Sequence, residues 1–368
     1  MNQDLQKCNV ILISQSELPS SKIGSWTKLY KNYLEGNHAI DYIICPKPES
    51  KFTSVKYQYT SNNFIDKIKA KIFKKSHLSA LSALKKILKN NENYIIQVVD
   101  NFKIVPDIVT LLRENGFRKN CKIQFCYHGF PPFLDKEKGV NFFQSIDEMI
   151  LLTHDSYQAH LDYYTSLQCK FSVLPNGIDT SKFYPLDAFK KQKQKKALQL
   201  KSKNVFLWCS QDRPKKGLEL VLEIWKKNSF PDSQLLVIGS TSNVNIPGVS
   251  FLGRIPNSDL PKYYQVSDVY LFSTLCQEGF GLSLIEALSC GCYCIASALG
   301  GVPEVLHYGK YGKLIVNPHS ISEWENAINE YLILQDNPYK SPIDLYSFEK
   351  WRKSMNILIA EAKLRLTN

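Results

Sequence analysis

Several things are missing from this sequence, and each absence narrows what it can be. No run of about 18 consecutive apolar residues occurs, the length a membrane-spanning helix needs, so a helical integral membrane protein is not expected. The opening MNQDLQKCNVILIS holds an apolar stretch too short for a signal-peptide core, which points to a soluble cytoplasmic protein. A paired-cysteine framework is also lacking. Most of the ten cysteines sit inside apolar runs such as CNVILI, YIICP and FLWCS, where a small hydrophobe belongs. In CGCYCIAS, Cys290, Cys292 and Cys294 suggest a thiolate cluster, but strand alternation leaves at most Cys292 and Cys294 on one face. No His or Cys pair at zinc spacing accompanies them, so no metal site is expected. There is no helix-turn-helix, zinc finger or aromatic single-strand motif, so a net charge of +12 does not imply a nucleic-acid partner. No internal repeat is evident.

What is present describes a globular α/β chain. At 368 residues it exceeds the size over which one core keeps growing, and 44% hydrophobic residues is ordinary for a folded protein. The excess positive charge is concentrated in two stretches, 66–90 (DKIKAKIFKKSHLSALSALKKILKN) and 190–203 (KKQKQKKALQLKSK). A solvated face, an anionic membrane surface and nucleic acid compete as explanations. The second stretch reads as a solvated face. The first mixes lysines with apolar residues at helical spacing, which suits peripheral contact with anionic lipid.

Apolar, β-branched runs alternate with helix-period segments along the whole chain. NVILIS, HAIDYIICP, YIIQVVD, KIQFCYH, EMILLT and KFSVLPN form a first set; NVFLWCS, SQLLVIGS, GVSFLG, DVYLFST, CYCIAS and GKLIV form a second. Buried strands separated by helices argue for parallel sheets, and two sets argue for two doubly wound domains. The seam falls near VLPNGIDTSKFYPLDAFKK, where Pro175, Asn176-Gly177 and Pro185 interrupt the pattern.

One stretch, QEGFGLSLIEALSCG at 277–291, raises a chemical question. The pattern predicts a strand at Val269–Ser273, a loop over Leu275–Gly281 and a helix at Leu282–Ser289 with Gly291 as its C-terminal cap. A loop after a parallel strand lies at the ligand edge of such a sheet. The first N–H groups of the helix are unpaired donors with partial positive charge, and Gly279 and Gly281 permit close approach, so the loop is shaped for phosphate. Glu278 and Glu286 would repel phosphate but accept bonds from hydroxyls. A diphosphate with hydroxylated rings on both sides, a nucleotide sugar, satisfies both. Taken alone, a loop charge and a solvated helix residue fit the two acids as well. In CSQDRPKKGLELVLEIW, Arg213, Lys215 and Lys216 follow another strand and lie at the same sheet edge, either as diphosphate partners or as a charged turn. In the first half, His128 follows a strand in CYHGFPP, and Gly24-Ser25 marks a loop-to-helix junction.

At these residues the chain resembles the retaining glycosyltransferases of family 4. EGFGLSLIE matches the family's E-x7-E element, VLPNGIDTSKFYP its interdomain segment, KKGLELVLEIW its K-G-helix element and ASALGGVPEVLHYGKYGKLI the stretch that follows. The resemblance implies the GT-B fold class, with two Rossmann-like doubly wound parallel-sheet domains facing across a cleft. Residues 1–172 plus 347–368 would form the N-terminal, acceptor-binding domain and 173–346 the nucleotide-sugar domain, with a helix at 347–365 crossing back. It further implies that Glu286 binds ribose hydroxyls and Glu278 the donor sugar, while backbone N–H groups of Phe280, Gly281 and Leu282 meet the diphosphate region. Lys216 would contact the diphosphate, His128 would lie near the transferred sugar, and Gly24-Ser25 would stand where the family often has Gly-Gly. The family's usual arginine is replaced by Gln211, and Arg213 is the candidate to supply its charge. The implied reaction is metal-free hexose transfer from a UDP- or GDP-linked donor to a glycan or lipid-linked acceptor, in bacterial surface polysaccharide synthesis, with no cofactor beyond the co-substrate. A sugar-nucleotide epimerase or hydrolase on the same fold, and an inactive scaffold, are the alternatives.

Overall fold

The structure is a computed structural model. It describes residues 7–20, 25–60, 77–242, 244–334 and 337–367. The chain divides into two compact units. The N-terminal unit comprises Met1–His128, Pro132–Pro175 and Glu349–Asn368, and the C-terminal unit Gly129–Pro131 and Asn176–Phe348.

Strands of the N-terminal unit are β1 (Cys8–Ile13), β2 (Tyr42–Pro46), β3 (Lys56–Thr60), β4 (Asn93–Val99), β5 (Cys121–Cys126), β6 (Glu148–Leu151) and β7 (Lys170–Val173). They form one seven-stranded sheet in the order β3-β2-β1-β4-β5-β6-β7, every pair parallel. Central β4, NYIIQVV, is buried at every position because helices cover both faces, which is why a parallel strand reads as one apolar run. Across this sheet Gln97, Gln124 and Glu148 stand in register on neighbouring strands and carry a polar row through an otherwise apolar interior. The fully buried Glu148 receives Gln124 Nε2 at 2.9 Å, Ser172 Oγ at 2.6 Å and Arg365 Nη2 at 2.6 Å, with Lys170 Nζ at 3.3 Å. Arg365 belongs to the terminal helix Phe348–Thr367, so this row fastens that helix to the unit.

The C-terminal unit contains β8 (Asn204–Cys209), β9 (Ser233–Ile238), β10 (Val249–Gly253), β11 (Val269–Phe272), β12 (Tyr293–Ser297) and β13 (Lys313–Ile315). Their order is β10-β9-β8-β11-β12-β13, all parallel. This is the 3-2-1-4-5-6 order of a Rossmann unit, whose ligand crevice lies where the winding reverses, here between the carboxyl ends of β8 and β11. In the N-terminal unit the reversal falls between β1 and β4. The core of the second unit is aromatic, with Phe206, Trp208, Trp225, Tyr293 and Trp324 buried among aliphatic residues.

The strand runs expected from the sequence appear as strands, and β3 is an addition. It is a sheet-edge strand, KYQYT, with no fully buried residue, so it lacks the apolar signature of its neighbours. Within the basic stretch 66–90, residues 66–76 lie outside the described residues, and Leu78–Ile87 is a helix. The 190–203 stretch supplies most of the helix Ala188–Ala197, where Lys191 and Lys195 pair with Asp268 at 2.7 and 2.8 Å. Among the described residues, no helix is long and apolar enough to cross a membrane.

Candidate active site

In the C-terminal unit two loops meet at the β8/β11 reversal. After β8 the chain makes a short turn, Pro214–Lys216, and enters the helix Leu218–Lys227 through Gly217, whose φ is +70°. A Cβ at Gly217 would lie 2.0 Å from the carbonyl oxygen of Ser273, so only glycine lets the turn close against the end of β11. Ser273 Oγ accepts from Trp208 Nε1 at 3.1 Å and lies 3.1 Å from the carbonyls of both Lys216 and Gly217. Leu275 N donates to Lys215 O at 2.8 Å. These bonds fix Lys216 beside the second loop.

There Lys216 Nζ pairs with the Glu278 carboxylate, and Thr274 Oγ1 lies 3.5 Å from the same oxygen. The Glu278 backbone is held from the other side. It bridges Gly300, and Gly301 N donates to Glu278 O at 2.8 Å. Gly300 has a φ of +67°, and a Cβ on it would come within 2.4 Å of Glu278 O. The glycine pair of ALGGVPE is thus a cradle for Glu278. Its role depends on a segment more than twenty positions away in the chain, which only the fold brings beside it.

Phe280 turns its side chain inward, 3% exposed, and packs edge-on against Tyr346 with ring centroids 5.3 Å apart. Its contribution on the ligand side is therefore backbone. Gly281 follows at φ +89° and caps the helix Leu282–Ser289, with Leu284 N and Ile285 N donating to its carbonyl. The first helical N–H groups, beginning at Leu282, carry the partial positive charge of that terminus. At the far end Gly291 adopts φ +84° just beyond the cap Cys290, as expected.

Glu286, half-buried on this helix, stands near Cys209 at the end of β8 and Tyr270 of β11. Burial first, with the Glu286 charge adding to it, pushes the Cys209 thiol up to about 12. Burial first, with Cys209 and then Glu286 adding to it, holds the Tyr270 hydroxyl well above the ordinary phenol range. The reversal point is lined by Trp208, Cys209, Ser210, Lys216, Tyr270 and Thr274 among others. The structure thus brings Lys216, Glu278, Phe280, Gly281, Leu282 and Glu286 together in one unit. Arg213 lies on the same loop, exposed, and its guanidinium makes no ion pair among the described residues.

In the N-terminal unit His128 lies just beyond β5. Its backbone N–H donates to Asp100 Oδ1 at 2.8 Å, and its Nδ1 lies 3.2 Å from Asp100 Oδ2. Asp100 follows β4, at the reversal point of this sheet, in a left-handed conformation with φ of 53°. Trp26 stacks on the His128 ring, 6.3 Å between centroids and 21° between planes. Trp26 sits in the first turn of the helix Ser25–Glu35. Gly24 lies outside the described residues. Asp100 is the residue that sequence reasoning missed. A single carboxylate at a strand end has no periodicity to betray it, and only the strand order shows that β4 flanks the crevice.

The cysteines of CGCYCIAS are buried, and Cys292 Sγ lies 3.3 Å from Tyr264 O. Burial pushes the Cys292 thiol up to about 12, the environment of a packing residue.

Comparison with known proteins gives this geometry a class. The family model described as "Glycosyl transferases group 1" matches residues 189–343. Over 228 residues the chain is 27% identical to a probable sucrose-phosphate synthase of Thermosipho melanesiensis, covering 57% of this chain and 52% of the relative. It is 26% identical over 209 residues to a D-inositol 3-phosphate glycosyltransferase of Mycobacterium leprae, covering 52% and 47%. The chain therefore spans about half the length of the curated relatives it matches. Among solved structures, the Anabaena protein HepE in complex with UDP-glucose superimposes with a TM-score of 0.70 at 14% identity, over 96% of this chain and 99% of that one. The fold class is GT-B, as the resemblance implied.

Proposed function

We propose that this chain is a retaining glycosyltransferase that moves a hexose from a UDP- or GDP-linked donor to a hydroxyl of a glycan or lipid-linked acceptor. The observation that carries the reading is the arrangement around Gly281: Lys216 paired to Glu278 just before it, a helix N-terminus that begins at it, and Glu286 further along that helix beside Cys209 and Tyr270 at the strand ends. Such a terminus accepts a diphosphate, and carboxylates on both sides accept hydroxyls of the ribose (Glu286) and of the sugar (Glu278). The match of residues 189–343 to the group 1 family model, and the UDP-glucose complex of HepE, support a nucleotide-sugar donor.

In the proposed reaction the bond between the anomeric carbon and the phosphate oxygen breaks, and the diphosphate leaves with the electron pair. Lys216, Arg213 and the helix N-terminus stabilise the charge that develops. The acceptor oxygen attacks from the face that the phosphate leaves, and its proton passes to the departing phosphate, which retains the configuration. Positive charge from side chains and a helix terminus fills the role a metal plays elsewhere, so activity is expected to survive chelation by EDTA. His128, oriented by Asp100, would hydrogen-bond the sugar during transfer. A role in bacterial surface polysaccharide synthesis at the cytoplasmic membrane face fits the basic 66–90 stretch.

Incubation with a panel of UDP- and GDP-hexoses, with and without glycan and lipid-linked acceptors, tests the reading. Acceptor-dependent transfer supports it. Isomerised or hydrolysed donor without acceptor replaces it with an epimerase or hydrolase, and absence of donor binding leaves a scaffold.

A further inference from the structure

The chain passes from the N-terminal to the C-terminal unit at Pro175–Asn176 and returns at Phe348–Glu349. The two passing stretches run side by side. Ile178 and Ser347 form a parallel bridge, Ile178 N donates to Tyr346 O at 2.9 Å, and Phe348 N donates to Ile178 O at 2.7 Å. Tyr346 is thus fixed by its backbone to the paired crossing strands.

Its side chain reaches the other way, to both supports of the Glu278 loop. The ring meets Phe280 edge-on at 5.3 Å and 87°, and the hydroxyl donates to Val305 O at 2.9 Å. Val305 closes the short helix Val302–Val305, which begins immediately after the Gly300-Gly301 cradle of Glu278. His307, two residues on, packs at 6.5 Å from the same ring. One tyrosine therefore buttresses the loop from within, through Phe280, and the cradle from behind, through Val305.

We propose that Tyr346 is a positioning residue for the donor site, tying the geometry of Glu278–Gly281 to the crossing strands. An edge-on aromatic pair constrains the angle at which Phe280 enters the core, not merely its burial. Phe280 lies between Glu278 and the helix cap Gly281, so a change in its angle turns both the carboxylate and the first helical N–H groups. Small displacements of such pre-placed groups are costly to binding and rate. Phe280 and Tyr346 approach only in the fold, since sixty-six positions separate them in the chain.

This inference rests on the nucleotide-sugar reading, and the experiment separates the two. Donor affinity is measured by calorimetry with UDP-glucose and GDP-mannose for wild type, Tyr346→Phe and Tyr346→Leu, alongside melting temperature and hydrogen exchange of the 274–284 amides. Tyr346→Phe keeps the ring and is expected to stay within about threefold of wild type. Tyr346→Leu is expected to weaken donor binding by roughly tenfold or more and to speed exchange in 274–284 before any donor is added. Loss of the packing partner should also make Phe280→Leu in the Tyr346→Leu background nearly silent. Wild-type protein that binds neither nucleotide sugar overturns the functional reading, and this inference with it. Wild-type binding with an equally tight Tyr346→Leu, or a Tyr346→Leu loss that simply follows a fall in melting temperature with unchanged 274–284 exchange, overturns the inference alone. If Tyr346→Leu does not fold, Phe280→Leu with wild-type donor affinity and unchanged exchange in 274–284 overturns it by itself.

Discussion

Lys216 and Glu278, sixty-two positions apart in the chain, form an ion pair at the carboxyl end of β11, with side chains only 19% and 22% exposed. The partnership places a cation and a hydroxyl acceptor beside one helix terminus. A diphosphate that engages Lys216 would draw part of that cation's hydrogen bonding away from Glu278 and leave the carboxylate available to a sugar hydroxyl. Lys216→Ala is therefore expected to lower kcat by roughly 10²–10³-fold, the usual loss on removing one electrostatic stabiliser. Steady-state transfer assays on protein with an unchanged circular dichroism spectrum decide it, and turnover within a factor of three of wild type refutes the role.

Glu278 is paired to Lys216, whereas Glu286 stands near Cys209 and Tyr270. If it holds the ribose hydroxyls, Glu286→Ala should raise the dissociation constant for the whole donor and for the free nucleotide diphosphate alike, while kcat at saturating donor falls less. A variant that binds the nucleotide normally but turns over slowly would reassign Glu286 to the transferred sugar.

The cradle beneath Glu278 gives a sharper test, because it depends on an atom that glycine lacks. Gly300→Ala must both adopt φ +67° and move Glu278 O, which would lie 2.4 Å from the new Cβ. Strain of this kind costs about 1–3 kcal/mol. The expected outcome is a lowered melting temperature together with weakened donor binding, whereas Gly116→Ala, at φ +75° with open space around it, should lower stability alone.

Much of this architecture is legible in the sequence, for identifiable reasons. Strands such as NVFLWC are buried on both faces and announce themselves as apolar runs, and the helix Leu282–Ser289 is framed by glycines whose left-handed backbone the structure requires at both ends. What was not legible depends on contacts distant in sequence. Asp100 acquires meaning from strand order, Gly300 from the segment it cradles, and Glu148 from three strands and a terminal helix that converge on one buried carboxylate. A lone acid within EMIL gives no local hint of that network.

Glu148 also yields a stability prediction. Glu148 is fully buried but Arg365 is one third exposed, so removing Arg365 takes one charged donor from a buried carboxylate that keeps Lys170 at 3.3 Å, at a cost of about 1–3 kcal/mol. Arg365→Met should lower the denaturation midpoint without changing donor binding by the C-terminal unit. Chemical denaturation with calorimetric donor titration checks both halves. A variant as stable as wild type would show that the terminal helix is held by its apolar contacts, chiefly Trp351, Met355 and Ile359.

His160 provides the pH dependence. It is fully buried among Tyr127, Phe133, Phe143 and Tyr164, its Nδ1 lies 2.7 Å from Ser156 O, and Nε2 has no hydrogen-bond partner among the described residues. Burial lowers its pKa below the ordinary 6.5, against a smaller opposing contribution from the Ser156 carbonyl. The unfolded chain therefore binds a proton that the folded one refuses. Between the lowered folded value and 6.5, the unfolded state carries more protons, so stability rises with pH across that window and is lost as pH falls through it. His38, His77 and His307 are shifted in the same direction by burial and add to the slope. Melting temperature should thus fall as pH is lowered from 7.5 to 5. The fall should be shallower for His160→Phe, which keeps an aromatic ring in an aromatic box and has nothing to protonate. Parallel wild-type and variant curves across that range would show that His160 does not contribute to the acid sensitivity.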